Sequence, residues 1–194
     1  QPPQFPDGAN GVQPGGFTDV AANSWYSQAV DYVTRSRLMS GTSTGVFSPD
    51  NAMTRAMLVT VLWRAEGQPT ASSAASFIDA ASDSWYSSAV AWAVENGIVN
   101  GTSATAFSPD KSVTRQEIAA ILQRYAKYKG VDVTQTADLS AYTDNASVAS
   151  WASDAMAWAV NKGVITGATS TTLAPSANAT RAQVATMLMR YMQQ

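Results

Sequence analysis

Apolar residues recur along this chain with the period of an α-helix, in three separate places. Trp25, Ala29, Tyr32 and Val33 fall at i, i+4, i+7 and i+8. Trp85, Ala89, Trp92 and Ala93 repeat that spacing, and so do Trp151, Ala155, Trp158 and Ala159. Each stripe predicts one amphipathic helix. A second stripe follows each of the first: Leu58, Val59 and Leu62, then Ile118, Ala119 and Leu122, then Val184, Ala185 and Leu188. These later helices open at Thr54, Thr114 and Thr180, whose hydroxyl oxygens suit an N-cap. Thr114 with Glu117, and Thr180 with Gln183, have the spacing of a capping box; Met57 removes that option from the first copy. Gly97 and Gly163 stand where two of the earlier helices should end in a left-handed cap. Arg37 takes that place in the first copy, which predicts a different closure there. The pattern is that of a mainly α chain built from three helix-loop-helix units.

Other landmarks keep the same order and offsets. Phe17-Thr-Asp19 matches Phe77-Ile-Asp79 and Tyr142-Thr-Asp144, and Gly41-Thr-Ser43 matches Gly101-Thr-Ser103, with Gly167 in the third position. Phe47-Ser-Pro49 matches Phe107-Ser-Pro109 and, more loosely, Leu173-Ala-Pro175. Thr-Arg pairs stand at 54–55, 114–115 and 180–181, offsets of 60 and then 66 residues. The repeats are therefore placed at residues 17–64, 77–124 and 142–194, joined by segments 65–76 and 125–141. A helix pair this short cannot bury its own apolar face, so packing of all three around a pseudo-threefold axis is expected. Residues 1–16 hold four prolines and four glycines and lack the basic and apolar regions of a signal peptide. They are expected to be a linker to something upstream in a longer parent.

Composition narrows the chemistry. The 194 residues carry a net charge of −2, so no basic field collects nucleic acid. There is no cysteine and no histidine, which removes disulfides, thiolate metal sites and the commonest general base. No apolar run approaches the ~20 residues that span a bilayer. Neither a metal nor a cofactor is expected, and acids that recur once per repeat read as structural symmetry rather than as one catalytic pair.

Together these residues resemble the S-layer homology (SLH) domain family. Its pattern of F-x-D-V, a helix bearing Trp, a glycine turn, F-x-P and then T-R-A-E opening a second helix is met in most parts by all three copies, over residues 17–190. The resemblance implies a pseudo-trimeric spindle, here one monomer. It also implies noncovalent anchoring of extracellular proteins to the bacterial cell wall or S-layer, through secondary cell-wall polymers bearing pyruvylated N-acetylmannosamine. The copies depart from the pattern at Met57 and Gln183, where only Glu117 keeps the glutamate. They depart again at Ala168, which follows Gly167, and at Tyr32, where the others have tryptophan.

Arg55, Arg115 and Arg181 sit in the first turn of a helix, the unfavourable end of its dipole for a cation. One reading makes them a carboxylate site: free helix N-terminal amides beside a bidentate donor, facing the pyruvate ketal that the resemblance implies. The other pairs each with Asp19, Asp79 or Asp144 of its own or a neighbouring repeat; the two can coexist. On the first reading, replacing an arginine with alanine weakens polymer binding far more than it lowers the melting temperature. Tyr32, Trp92 and Trp158 are either groove walls that stack on sugar or core. Trp25, Trp85 and Trp151 are expected in the core or between repeats. The turns Gly41-Thr42-Ser43 and Gly101-Thr102-Ser103, with Gly167, offer amides and hydroxyls to a sugar or simply turn the chain. The expected function is a noncatalytic anchor with ligand in the grooves between repeats. A protein-interaction module for surface assembly is the alternative.

Overall fold

The computed structural model describes residues 16–194, so the expected linker lies, apart from Gly16, outside the described residues. Six α-helices appear among them: α1 (Ser27–Arg35), α2 (Arg55–Ala65), α3 (Ser87–Glu95), α4 (Arg115–Tyr128), α5 (Ser153–Asn161) and α6 (Arg181–Met192). Two short 3-10 turns, Asn145–Ser147 and Ser150–Ala152, precede α5. Extended pairing among the described residues is limited to isolated bridges.

The second helix of each repeat starts where the threonines place it. Thr54, Thr114 and Thr180 accept from the amides of Met57, Glu117 and Gln183. Only Thr180–Gln183 completes the reciprocal box, with Gln183 Oε1 accepting from the Thr180 amide at 3.2 Å. In the second repeat the expected box does not close, because Glu117 turns to Lys111, 3.6 Å away. Leu58, Val59 and Leu62, with their counterparts Ile118, Ala119, Leu122, Val184, Ala185 and Leu188, are all fully buried. Each such aliphatic side chain contributes about 1.5–3 kcal/mol by leaving water, somewhat less for alanine.

The first helices end alike in all three copies. Gly97 and Gly163 take the left-handed conformation (φ 69° and 70°), and so does Arg37 (φ 57°). Leu38 N donates to Val33 O as Ile98 N does to Ala93 O and Val164 N to Ala159 O. The different closure expected at Arg37 is thus absent: the backbone keeps the motif and tolerates a side chain in it. Arg37→Gly should therefore stabilise the fold by about 1 kcal/mol, the left-handed penalty less the extra freedom glycine has when unfolded. Chemical denaturation of the two proteins checks this.

Each helix finds its main helical partner outside its own repeat. α3 lies on α2, α5 on α4, and α1 on α6, so each first helix covers the second helix of the preceding repeat and the last contact closes a ring. The ring has a hydrogen-bonded centre. Met53 N donates to Ala179 O (3.0 Å), Ala179 N to Val113 O (3.0 Å) and Val113 N to Met53 O (2.9 Å). All three residues are fully buried. Three short extended segments thereby satisfy one another where no sheet exists, as buried backbone must.

Candidate functional site

The three arginines meet the neighbouring repeat at three equivalent junctions. Arg55 Nε donates to Phe107 O (3.0 Å) and Nη2 to Asn100 O (2.6 Å). Arg115 binds Leu173 O (2.8 Å) and Thr166 O (2.6 Å) in the same way. Arg181 binds Phe47 O (2.9 Å) and Ser40 O (2.6 Å), which joins the third repeat to the first. Exposure of the three residues is 6%, 5% and 1%. The guanidinium carbons of Arg55 and Arg181 also stand 4.8 and 4.7 Å from the ring centroids of Phe107 and Phe47.

The aspartates grip the same loops from the amide side. Asp19 accepts from Phe47 N and Ser48 N (2.9 and 2.7 Å), Asp79 from Phe107 N and Ser108 N (2.8 and 2.9 Å), and Asp144 from Leu173 N and Ala174 N (both 2.8 Å). Ser48, Ser108 and Ala174 are left-handed (φ 59°, 56° and 49°), so the carboxylates stabilise a turn that costs about 1–2 kcal/mol to form. Those amide bonds hold the Asp79 and Asp144 carboxyls below the usual range. Burial pulls all three arginines down, Arg181 to about 10, against the favourable field of Glu117 and then Asp79 at Arg55, of Asp144 at Arg115 and of Asp19 at Arg181. The guanidinium groups remain charged at neutral pH.

The helix N-termini are not free. Arg55 N donates to Lys111 O (2.9 Å) and Ala56 N to Pro109 O (3.0 Å); Arg115 N and Gln116 N bind Ala177 O and Pro175 O, and Arg181 N and Ala182 N bind Asn51 O and Pro49 O. The amides expected to receive an anion are thus occupied by carbonyls of the adjoining repeat. The positive ends of the dipoles face those carbonyls, and the arginine side chains reach across the junction to others. That is what the apparently misplaced cations accomplish: main chain and side chain together clamp one repeat to the next. At Arg55 and Arg115 the third nitrogen, Nη1, donates to no group of the described chain.

The glycine turns belong to the same junctions. Ser40, Asn100 and Thr166, whose carbonyls the arginines hold, precede Gly41, Gly101 and Gly167 directly. Thr42 N, Thr102 N and Ala168 N each close the turn on Val46 O, Ala106 O and Thr172 O. Ala168 therefore preserves the backbone turn and loses only the hydroxyl, which in the other repeats pairs Thr42 with Ser48 and Thr102 with Ser108 at 2.6 Å. Ser103 Oγ accepts from Ala106 N inside its turn, and Ser43 lies at the same step of the first.

Trp92 and Trp158 take the core alternative, whereas Trp25 and Trp151 fall outside the expected core. Trp92 and Trp158 are 2% and 1% exposed, which leaves no ring face for a sugar; Tyr32 is half-buried. Trp25 and Trp151, expected inside, are 66% and 57% exposed, and Trp85 is half-buried. In the first two copies the helix begins two residues after the tryptophan, so Trp25 and Trp85 sit in the preceding turn, edge-on to Tyr26 and Tyr86. Sequence reasoning missed the carbonyls of Ser40, Asn100 and Thr166, since a backbone acceptor leaves no side-chain signature.

Three like junctions around a closed ring define a tandem-repeat module rather than a domain with one cleft. The family model for the S-layer homology domain matches residues 16–56, 76–119 and 141–185, and the chain belongs to the SLH family. It is 33% identical over 185 residues to the Surface-layer 125 kDa protein of Lysinibacillus sphaericus, covering 94% of the chain and 15% of that protein. Over 162 residues it is 28% identical to the Cellulosome-anchoring protein of Acetivibrio thermocellus (78% of the chain, 34% of the relative). Over 176 residues it is 27% identical to the Amylopullulanase of Thermoanaerobacterium thermosulfurigenes (89% and 9%). The chain thus spans between about a tenth and a third of the length of these relatives. Among the described residues no helix is long and apolar enough to cross a membrane.

Proposed function

We propose that this chain is a noncovalent anchor at the bacterial cell surface, binding anionic, pyruvylated secondary cell-wall polysaccharide along the junctions between its repeats. Its membership of a family found in surface-layer and cellulosome-anchoring proteins supports the anchoring. The observation that carries the binding site is the threefold recurrence of one cluster, an arginine of one repeat against the glycine turn and aspartate of the next. In this reading Nη1 of Arg55 and of Arg115 takes the ketal carboxylate, and Thr42 and Thr102 take sugar hydroxyls. Arg181, the least exposed, serves the ring. A polymer that spans two junctions gains affinity without new contacts.

Calorimetric titration with the host's purified wall polymer, before and after mild acid removal of pyruvate, tests this. Binding lost with the pyruvate is the expected result. Equal binding to both preparations would move recognition to neutral sugar contacts. Binding to neither would favour a protein-interaction module, a role suited to the exposed Ile78, Trp25 and Trp151 side chains.

A further inference from the structure

Of the three clamped turns, the second alone is built on an Asn-Gly pair. The carbonyls that the arginines hold belong to Ser40, Asn100 and Thr166, each followed by glycine. Asparagine is the chemically labile residue of the three. Its side-chain carbonyl carbon is open to attack by the main-chain nitrogen of the next residue. Glycine hinders that attack least, because it has no Cβ.

The same dipeptide occurs at Asn96-Gly97 in surroundings that oppose the reaction. Asn96 caps α3 with φ −92° and ψ 8°, and its Nδ2 donates to Trp92 O at 2.8 Å. The Gly97 amide, whose nitrogen would attack, donates to Val94 O at 3.1 Å. Both reacting groups are thus occupied. A third pair, Asn10-Gly11, lies outside the described residues. At Asn100 the side chain is exposed, and among the described residues nothing bonds to it or to the Gly101 amide. The peptide bond between these two residues is also polarised. Arg55 Nη2 donates to Asn100 O at 2.6 Å. Amide resonance places the charge of a deprotonated nitrogen partly on that oxygen, so a guanidinium there favours loss of the Gly101 proton.

We propose that Asn100 deamidates spontaneously in the folded chain, and that the carboxylate so formed occupies Arg55 and closes its junction to an anionic ligand. The Gly101 amide gives its proton to water or hydroxide, its nitrogen bonds to Cγ of Asn100, and the Cγ–Nδ2 bond breaks. Ammonia leaves and a five-membered succinimide remains. Water then opens the ring at either carbonyl. Opening at Cγ gives aspartate at position 100. Opening at the former main-chain carbonyl gives isoaspartate, with the chain rerouted through Cβ, and the new carboxylate then contains the oxygen that Arg55 held. Either way the turn gains one negative charge, and water is the co-reactant. The closure rests on the anchoring reading, in which Arg55 Nη1 takes the carboxylate of the ligand; the conversion does not.

To test this, the chain is incubated at mildly alkaline pH, folded and in urea, until the unfolded sample has converted. Peptides are then mapped by mass and fragmentation, each conversion adding about 1 Da. In the folded chain Asn100 should convert about tenfold faster than Asn96 or more, whereas in urea the two should be alike. Equal rates at the two sites in the folded chain, or no conversion of Asn100 there, overturn the proposal. Asn100→Asp reproduces one product. In the calorimeter it should bind pyruvylated polymer about tenfold more weakly than the fresh unmodified chain, as one junction is lost. Undiminished binding overturns the closure. A fresh chain that binds no polymer removes the anchoring reading and the closure with it, while the mass result still decides the conversion.

Discussion

Arg181→Ala lowers the stability of the fold by about 3–5 kcal/mol, which for a chain of this length is a fall in melting temperature on the order of 10 °C. Two charge-assisted hydrogen bonds disappear, each worth about 1.5–3 kcal/mol, and the carbonyls of Ser40 and Phe47 lose a donor in a place water reaches poorly. Arg181→Met separates packing from bonding. Methionine restores most of the volume and none of the donors, so it should lose nearly as much as alanine. Arg181→Lys, which keeps the charge but not the planar fork, should fall between. Urea denaturation of the three variants provides the numbers. A loss below about 1 kcal/mol for alanine would mean that the loop relaxes onto other donors and that the clamp is dispensable. Against the expectation that alanine at an arginine weakens polymer binding far more than it lowers the melting temperature, these contacts predict a large loss of stability as well. Stability and binding must be separated by altering the polymer rather than the protein.

Gly101→Ala is expected to cost about 3 kcal/mol, at or above the upper end for an added methyl in a packed site. A Cβ at Gly101 would stand 2.5 Å from the Phe77 ring and from Ser103 O, and 2.7 Å from Ala106 O. The ring is packed against Phe107 at 5.6 Å, and Ala106 O is held by Thr102 N, so neither can withdraw cheaply. Any shift of the turn also moves the Asn100 carbonyl away from Arg55. Gly45→Ala is the control. Nothing lies within 4 Å of a Cβ there, and only its φ of 71° opposes the change, at about 1 kcal/mol. Equal losses at the two glycines would show that close approach contributes nothing at Gly101.

Much of this was legible in the residues. Threonine and the apolar stripe located the starts of α2, α4 and α6 to the residue, because an N-cap and a helical period are local properties, while α4 runs on to Tyr128, into the segment taken as a joint. Short helices with one apolar face implied assembly around an axis. The destination of each arginine was not legible, since its partners are carbonyls about fifty residues away, or 141 for Ser40 and Arg181, and any residue type supplies those. Trp25 was misplaced because it extends the stripe on paper while the helix starts only at Ser27. Arg37 was misjudged because composition records a preference for glycine, whereas the surrounding turn can impose the conformation. The site was half visible: Arg, Asp and the glycine turns do converge, while Trp92 and Trp158 belong to the core.

The contact of α1 on α6 fixes how many repeats this design can hold. An open stack grows by adding units, each covering the last and exposing a fresh face. Here the third unit finds the first already presenting Ser40, Phe47 and α1, so the assembly counts to three and stops. A fourth copy would find no vacant face, and duplication could enlarge such a protein only by whole rings. A chain of two repeats would have the opposite problem, one helix uncovered and one clamp without a loop. Its most direct remedy is to borrow the missing repeat from another molecule.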